Sequence, residues 1–289
     1  MIVRWPAATV MARPSAYLAL MLCVFVPRMA WSQTPSPLQE WQYPGGIMLE
    51  QVFEPNLPDW RFVLGASVAS EPLYDGARPY RVDLGPVIDI RYRDIAFASV
   101  GEGLGVNLLR AKNCRAGTAL GYDLGRPVSE APVHLHGLGD ISAAPFIKLF
   151  ASCVISKSFP IDVRVDVRRL VGGAGGLLGD IQAMMPLPGS SQKLFLLAGP
   201  SITFSNRQYT QKVFGVTSIQ ASDSDYSAYN AHGGLSAAGV GLSATRFITP
   251  RWLINADVAV NRLLGSASDS PITQASYQGI LEVTTAYRW

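Results

Sequence analysis

Residues 161–170 read Ile-Asp-Val-Arg-Val-Asp-Val-Arg-Arg-Leu, a stretch in which apolar and charged residues alternate from Ile161 to Arg168. In an extended strand neighbouring side chains point to opposite faces, so Ile161, Val163, Val165 and Val167 share one face. Asp162, Arg164, Asp166 and Arg168 share the other. One such segment also suits a soluble amphipathic sheet. The pattern recurs, however. In 81–93, Val82, Leu84, Ile88, Ile90 and Tyr92 oppose Arg81, Asp83, Asp89, Arg91 and Arg93. In 251–261, Trp252, Ile254, Ala256, Val258 and Val260 oppose Arg251, Asn255, Asp257 and Asn261. In 193–204 the apolar set is Leu194, Leu196, Ala198, Ile202 and Phe204. These runs are longer than the five or six residues of an ordinary globular strand and match the roughly 9–11 that a tilted strand needs to cross a bilayer.

A lipid-facing surface rejects arginine at mid-depth, so the charged set belongs inside a closed barrel. The candidate lumen-facing charges are Arg81, Asp83, Asp89, Arg91, Asp162, Arg164, Asp166, Arg168, Arg251 and Asp257. Similar runs number about 12, with 10–14 the range and an even number expected of a bacterial single-chain barrel. The fold class is therefore all-β, a transmembrane antiparallel barrel.

Composition points the same way. Charged residues make up 16% of the 289-residue chain and hydrophobic ones 48%, with a mean hydropathy of +0.19. Soluble domains carry roughly 25% charge. The body of the chain has no apolar run of about 18 residues, so spanning helices are unsupported. Closing a sheet is then the way to pair every backbone polar group in hydrocarbon.

The first 32 residues read as an export signal: Arg4 and Arg13, an apolar core over 16–26, and Ala30-Trp31-Ser32 before a cleavage site at Ser32-Gln33. Removing them takes away Arg4, Arg13 and Arg28 and no acid, leaving 21 basic and 21 acidic residues. No basic patch points to nucleic acid. Residues 33–58, rich in proline and polar residues, read as a periplasmic extension, and 59–289 as the outer-membrane barrel. Tight turns fall near Arg93-Asp94, 157–160 and Thr249-Pro250, and longer loops near 126–142, 171–178, 206–230 and 264–276. Cys114 and Cys153 remain after export. They suit a disulfide or two unpaired thiols used as small hydrophobes. The chain ends with Leu281, Val283, Thr285, Tyr287 and Trp289 on alternate positions, the form of a barrel-closing strand.

A set of segments, in order, resembles the MltA-interacting protein/OmpV-like outer-membrane family. It includes Trp60–Gly65, Glu71–Gly76, Arg91-Tyr92-Arg93, Gly103–Leu108, Gly121–Arg126, Leu138–Ile141 and Phe214-Gly215-Val216. The most specific piece is 263–272, Leu-Leu-Gly-Ser-Ala-Ser-Asp-Ser-Pro-Ile, whose Gly265, Asp269, Ser270 and Pro271 match that family's loop after the penultimate strand. The likeness spans about 58–289; Trp289 in place of a terminal Phe and the segment 33–58 depart from it. The resemblance implies an outer-membrane protein that acts as a scaffold for a murein lytic transglycosylase and a murein synthase, with outer-membrane lipid around it. Other members are porin-like or adhesive. It implies no catalytic residue.

Other motifs carry less. Gly101-Glu102-Gly103-Leu104-Gly105 lacks the spacing of a nucleotide loop and reads as a strand kink, and 172–176 lacks the Lys-Ser/Thr of a phosphate loop. His134 and His136 share one side of an extended segment, with Asp140 nearby, but no third metal ligand is fixed. A lipid hydrolase needs Ser and His in contact, and His232 and Ser236 in one strand stand roughly 13 Å apart; a Ser on a neighbouring strand could still reach His232, which keeps an outer-membrane lipid hydrolase as a remote alternative. No cofactor or metal is expected. The leading reading is a non-enzymatic scaffold; the alternatives are a narrow pore whose lumen charges set selectivity, or a barrel in which those charges pair into a plug.

Overall fold

A computed structural model of the chain describes residues 58–155, 160–191 and 193–289. The proposed leader, the extension up to residue 57 and most of the turn at 157–160 lie outside them. Twelve antiparallel strands form a closed ring in chain order. They are β1 (Trp60–Pro72), β2 (Tyr80–Tyr92), β3 (Ala96–Ser99), β4 (Gly103–Arg110), β5 (Cys114–Asp123), β6 (Ala144–Val154), β7 (Asp162–Leu170), β8 (Leu177–Pro186), β9 (Leu194–Ser205), β10 (Gly234–Phe247), β11 (Trp252–Leu263) and β12 (Tyr277–Arg288). The ring closes where β12 pairs with β1, from Val63↔Arg288 to Ser70↔Leu281. The amide of Trp289 adds a bond to the carbonyl of Phe62 at 3.1 Å.

In IDVRVDVRRL Asp162, Arg164, Asp166 and Arg168 are buried, while the valines and Arg169 at the strand's upper end point outward. The same alternation runs through β1, β2, β6 and β8. A one-residue slip would put every charge into lipid, so the pattern fixes the register. One rim carries short turns and both described chain ends; the other carries 73–79, 124–143, 171–176, 206–233 and 264–276. Short turns mark the periplasmic end of such barrels. There Trp60 meets Tyr92 in a tilted contact at 4.6 Å and Trp252 meets Tyr287 at 5.2 Å, with Tyr287 and Trp289 at 4.6 Å. Amphipathic rings of this kind settle at a membrane–water interface.

The wall is interrupted at β3. β3 is four residues long and meets β2 only from Asp89↔Ser99 to Tyr92↔Ala96. The connection 100–102 therefore turns back at mid-wall, and on this side the rest of β2, from Tyr80 to Val87, has no strand partner among the described residues. The Ile88 carbonyl accepts from Val100 N at 3.1 Å. By the antiparallel alternation, Pro86, Leu84 and Val82 present their backbone groups to the same side. Proline lacks an N–H and is tolerated at such an edge. The outward Val82 and Leu84 are 69% and 63% exposed, against 43% and 44% for Val258 and Val283 between paired strands.

The structure joins Cys114 to Cys153, a direct cross-strand pair of β5 and β6 with Cα atoms 4.1 Å apart. This resolves the choice that the sequence left open in favour of the disulfide.

Candidate functional site

Two features fill the barrel: a charge network in the lumen and an apolar cap over the loop rim. The network begins at the short hairpin. Because β3 stops early, its turn carries Glu102 inward, with the Glu102 amide donating to Ser99 Oγ at 2.9 Å. Gly103 follows at φ +84°, and a Cβ there would sit 2.2 Å from the Leu120 carbonyl oxygen. Gly105 makes room for the ring of Phe97, which a Cβ would meet at 2.3 Å.

Glu102 accepts from the guanidiniums of Arg91 and Arg164, the latter at 3.3 Å. Arg91 also holds Asp89 at 3.0 Å, and Arg164 holds Asp166 at 2.9 Å. Further along, Arg168 holds Asp180 at 2.8 Å, and Ser152 donates to Asp162 at 2.5 Å. Lys148 adds a third positive charge to the surroundings of Glu102. Arg91 stands 5.2 Å from the centre of the Phe97 ring and Arg164 5.0 Å from that of Phe150. These nine ionisable residues are 1–8% exposed. Isolated ions at that burial would cost several kcal/mol each, which is why the network sets opposite charges and hydrogen-bond donors against one another. A water column beside them would leave them accessible. They are not. Inward Val154, Met184, Leu197, Ala259 and Ile280 also join in one buried cluster, which draws on β6, β8, β9, β11 and β12.

The cap is built from the loops. α1 (Pro132–Leu135) follows a 3-10 turn at Val128–Glu130; α2 (Arg207–Phe214), α3 (Ser218–Asp223) and α4 (Gly265–Ser268) come later. Asn206 caps α2 by accepting from Tyr209 N at 3.1 Å, and Thr217 with Gln220 forms a capping box on α3. Val213 and Phe214 of α2 pack on the inward Phe146, Leu170, Leu178, Ala237 and Leu263 at the strand ends. Beside them Tyr74, Leu135, Leu138, Val216 and Ile272 form a second buried cluster. Burial pushes the Tyr74 phenol up to about 12, raises Tyr209 and Glu130, and lowers Arg126. Arg126 donates to the Val213 carbonyl at 2.8 Å.

Of the charges read from the sequence, Asp89, Arg91, Asp162, Arg164, Asp166 and Arg168 lie in this network. Arg81 and Asp83 sit higher on β2, where Arg81 bridges Glu71, Asp83 and Glu130 at 2.5, 2.5 and 3.0 Å. Asp257 is half-buried on β11 and accepts from Asn255. Arg251 is corrected: it precedes β11 in an exposed turn and donates to the Tyr287 hydroxyl at 3.0 Å, away from the lumen. Arg93, read with the charged face of β2, instead occupies the turn at φ +48° and pairs with Asp59 at 2.9 Å.

The loop 263–272 locks the cap. Ser270 Oγ donates to the Phe214 carbonyl at 2.6 Å and accepts from Ile272 N at 3.2 Å. The Asp269 amide closes on Gly265 O at 3.0 Å, and Pro271 leads into the buried Ile272. Gly265 has φ +52°. The histidines do not converge. His134 Nδ1 meets Gln274 at 2.7 Å while His136 is exposed. The backbone amide of His232 donates to Ser266 Oγ, and Ser236 Oγ donates to the Thr203 carbonyl. The sequence reading missed Glu102, Lys148 and Asp180. The last two stand on inward positions that the period of two identifies; Glu102 stands in a turn, where no period applies.

Solved structures of outer-membrane proteins resemble the chain at low identity. An outer membrane channel from Pseudomonas putida F1 is 10% identical, covers 81% of this chain and 97% of its own, and has a TM-score of 0.44. The NanC porin is 6% identical, with 78% and 98% covered and a TM-score of 0.40. OmpT of Vibrio cholerae is 9% identical, with 80% and 97% covered and a TM-score of 0.37. No curated protein matches the sequence. The model of the family described as MltA-interacting protein MipA matches residues 64–289, nearly the whole barrel. The chain belongs to the MltA-interacting protein MipA family.

Proposed function

We propose that this outer-membrane barrel is a non-enzymatic scaffold that docks murein-remodelling enzymes, a lytic transglycosylase first and a murein synthase with it. The observation that carries the reading is the filled lumen. Nine buried ionisable residues and an apolar cluster occupy the space that a diffusion pore keeps wet. Twelve strands lie between the roughly eight that side chains fill and the 16–18 that leave a channel, so the filling decides. The work then falls to the exterior. The family name supplies the partner class, since it describes a protein that binds MltA.

The contact surface in this reading is the turn rim together with residues 33–58, exposed to the periplasm after cleavage near Ser32-Gln33. Described turns at that rim carry Arg93, Lys112, Lys193 and Arg251 against Asp59 and Asp94, an excess of positive charge suited to an acidic partner surface. Opposite charge across an interface speeds and orients docking. The test is recovery of a lytic transglycosylase on the immobilised full-length protein. Removing 33–58, and separately reversing Lys112 and Arg251 to Glu, should each reduce recovery. Undiminished recovery in both variants overturns the assigned surface, and failure of the unmodified protein to retain the enzyme overturns the scaffold.

A further inference from the structure

At the loop rim, 171–175 and α2 flank an open cavity of about 820 Å³ lined by Arg169, Arg207, Lys212, Gln208, Gln211 and Gln220 among others. Its lining holds three cations and no acid. All three cations are exposed, and Arg207 has a neutral partner, Asn230 Oδ1 at 3.2 Å.

The position of Arg169 selects the ligand. It is an outward residue of β7, two positions beyond Val167, and its cross-strand neighbours Ile147 and Leu177 are themselves 47% and 39% exposed on the outward surface. A cation there is at the upper edge of the lipid-facing band, where arginine is tolerated because it reaches the headgroup layer. Val171, also lining the cavity, is 56% exposed. Cations, amide donors and an apolar shelf at one depth match a lipid whose headgroup carries phosphate. We propose that this cavity binds the phosphorylated headgroup of an outer-leaflet glycolipid, Arg169 from the wall and Arg207 with Lys212 from the cap. The lipid would thereby brace α2 against the rim. Guanidinium groups favour phosphate through paired N–H donors, and the lysine adds a point charge.

The test uses the purified full-length protein in uncharged detergent, titrated with bis-phosphorylated lipid A, with the same lipid stripped of phosphate, and with inorganic phosphate. Only the phosphorylated lipid should bind tightly. Arg169→Gln/Arg207→Gln/Lys212→Gln should weaken it roughly 100-fold, at roughly fivefold per cation. Equal binding of the stripped lipid overturns the proposal, as does an unchanged affinity in the variant. Inorganic phosphate saturating the site at the same concentration overturns the lipid as its source. Should the triple variant not fold, Lys212→Gln alone and a salt titration of the unmodified protein decide: an affinity indifferent to both is a refutation.

Discussion

Glu102→Ala is the sharpest perturbation of the network. The carboxylate is 2% exposed and lies between Arg91 and Arg164, which belong to strands β2 and β7. At 3.3 Å and an effective dielectric of 20, one such contact is worth about 5 kcal/mol before desolvation is subtracted. Breaking a buried pair from one side costs about 3–5 kcal/mol net. Each arginine keeps another acid, Asp89 at 3.0 Å or Asp166 at 2.9 Å, so the loss belongs at the lower end, about 3 kcal/mol. Glu102→Gln should lose nearly as much, because its amide turns one acceptor into a donor facing a guanidinium donor. The assay is denaturant unfolding in micelles followed by tryptophan fluorescence. A change within about 0.5 kcal/mol, the size of an ordinary surface substitution, would mean that water already solvates Glu102. The lumen would then be hydrated rather than packed.

Three further outcomes follow from other parts of the molecule. Reducing Cys114–Cys153, which closes a separation of 39 residues, should lower unfolding stability by up to about 4 kcal/mol; equal denaturation midpoints with and without reductant would contradict this. The Tyr74 phenol titrates near 10 unfolded and at about 12 in the cap, so the unfolded chain releases that proton first. Cap stability should thus be full below pH 10 and fall by about 2–3 kcal/mol as pH rises from 10 to 12, read as protease cleavage in 206–233; a pH-independent rate refutes it. Pro86→Val restores an N–H to the open edge of β2 and should raise crosslinked dimer above the background of the unmodified protein, whereas an unchanged dimer fraction would show that this edge is already covered.

Much of the barrel was legible because the bilayer imposes one rule on every strand. IDVRVDVRRL states both the face and the length of β7, and the runs beginning near Arg81, Lys193 and Arg251 fall within two residues of β2, β9 and β11. The inward charges followed from the same alternation. Arg251 escaped it because a residue one position before a strand keeps the period but not the pleat. The Cys114–Cys153 pairing depends on the register between β5 and β6, which neither strand states by itself. The reversal that ends the four-residue β3 reads in the sequence only as a strand kink, since Gly101–Gly105 signals a backbone departure without its direction. The cap helices were hidden in stretches too short for a period of 3.6. Yet Asn206 before α2 and Thr217 with Gln220 before α3 are capping residues that a local reading can find.

Paired charge and buried apolar side chains close the lumen of this barrel. Purified protein reconstituted singly into planar bilayers should show no discrete conductance under applied voltage. Reproducible unitary current steps from the unmodified protein would mean that ions pass through that lumen, and would contradict its closure.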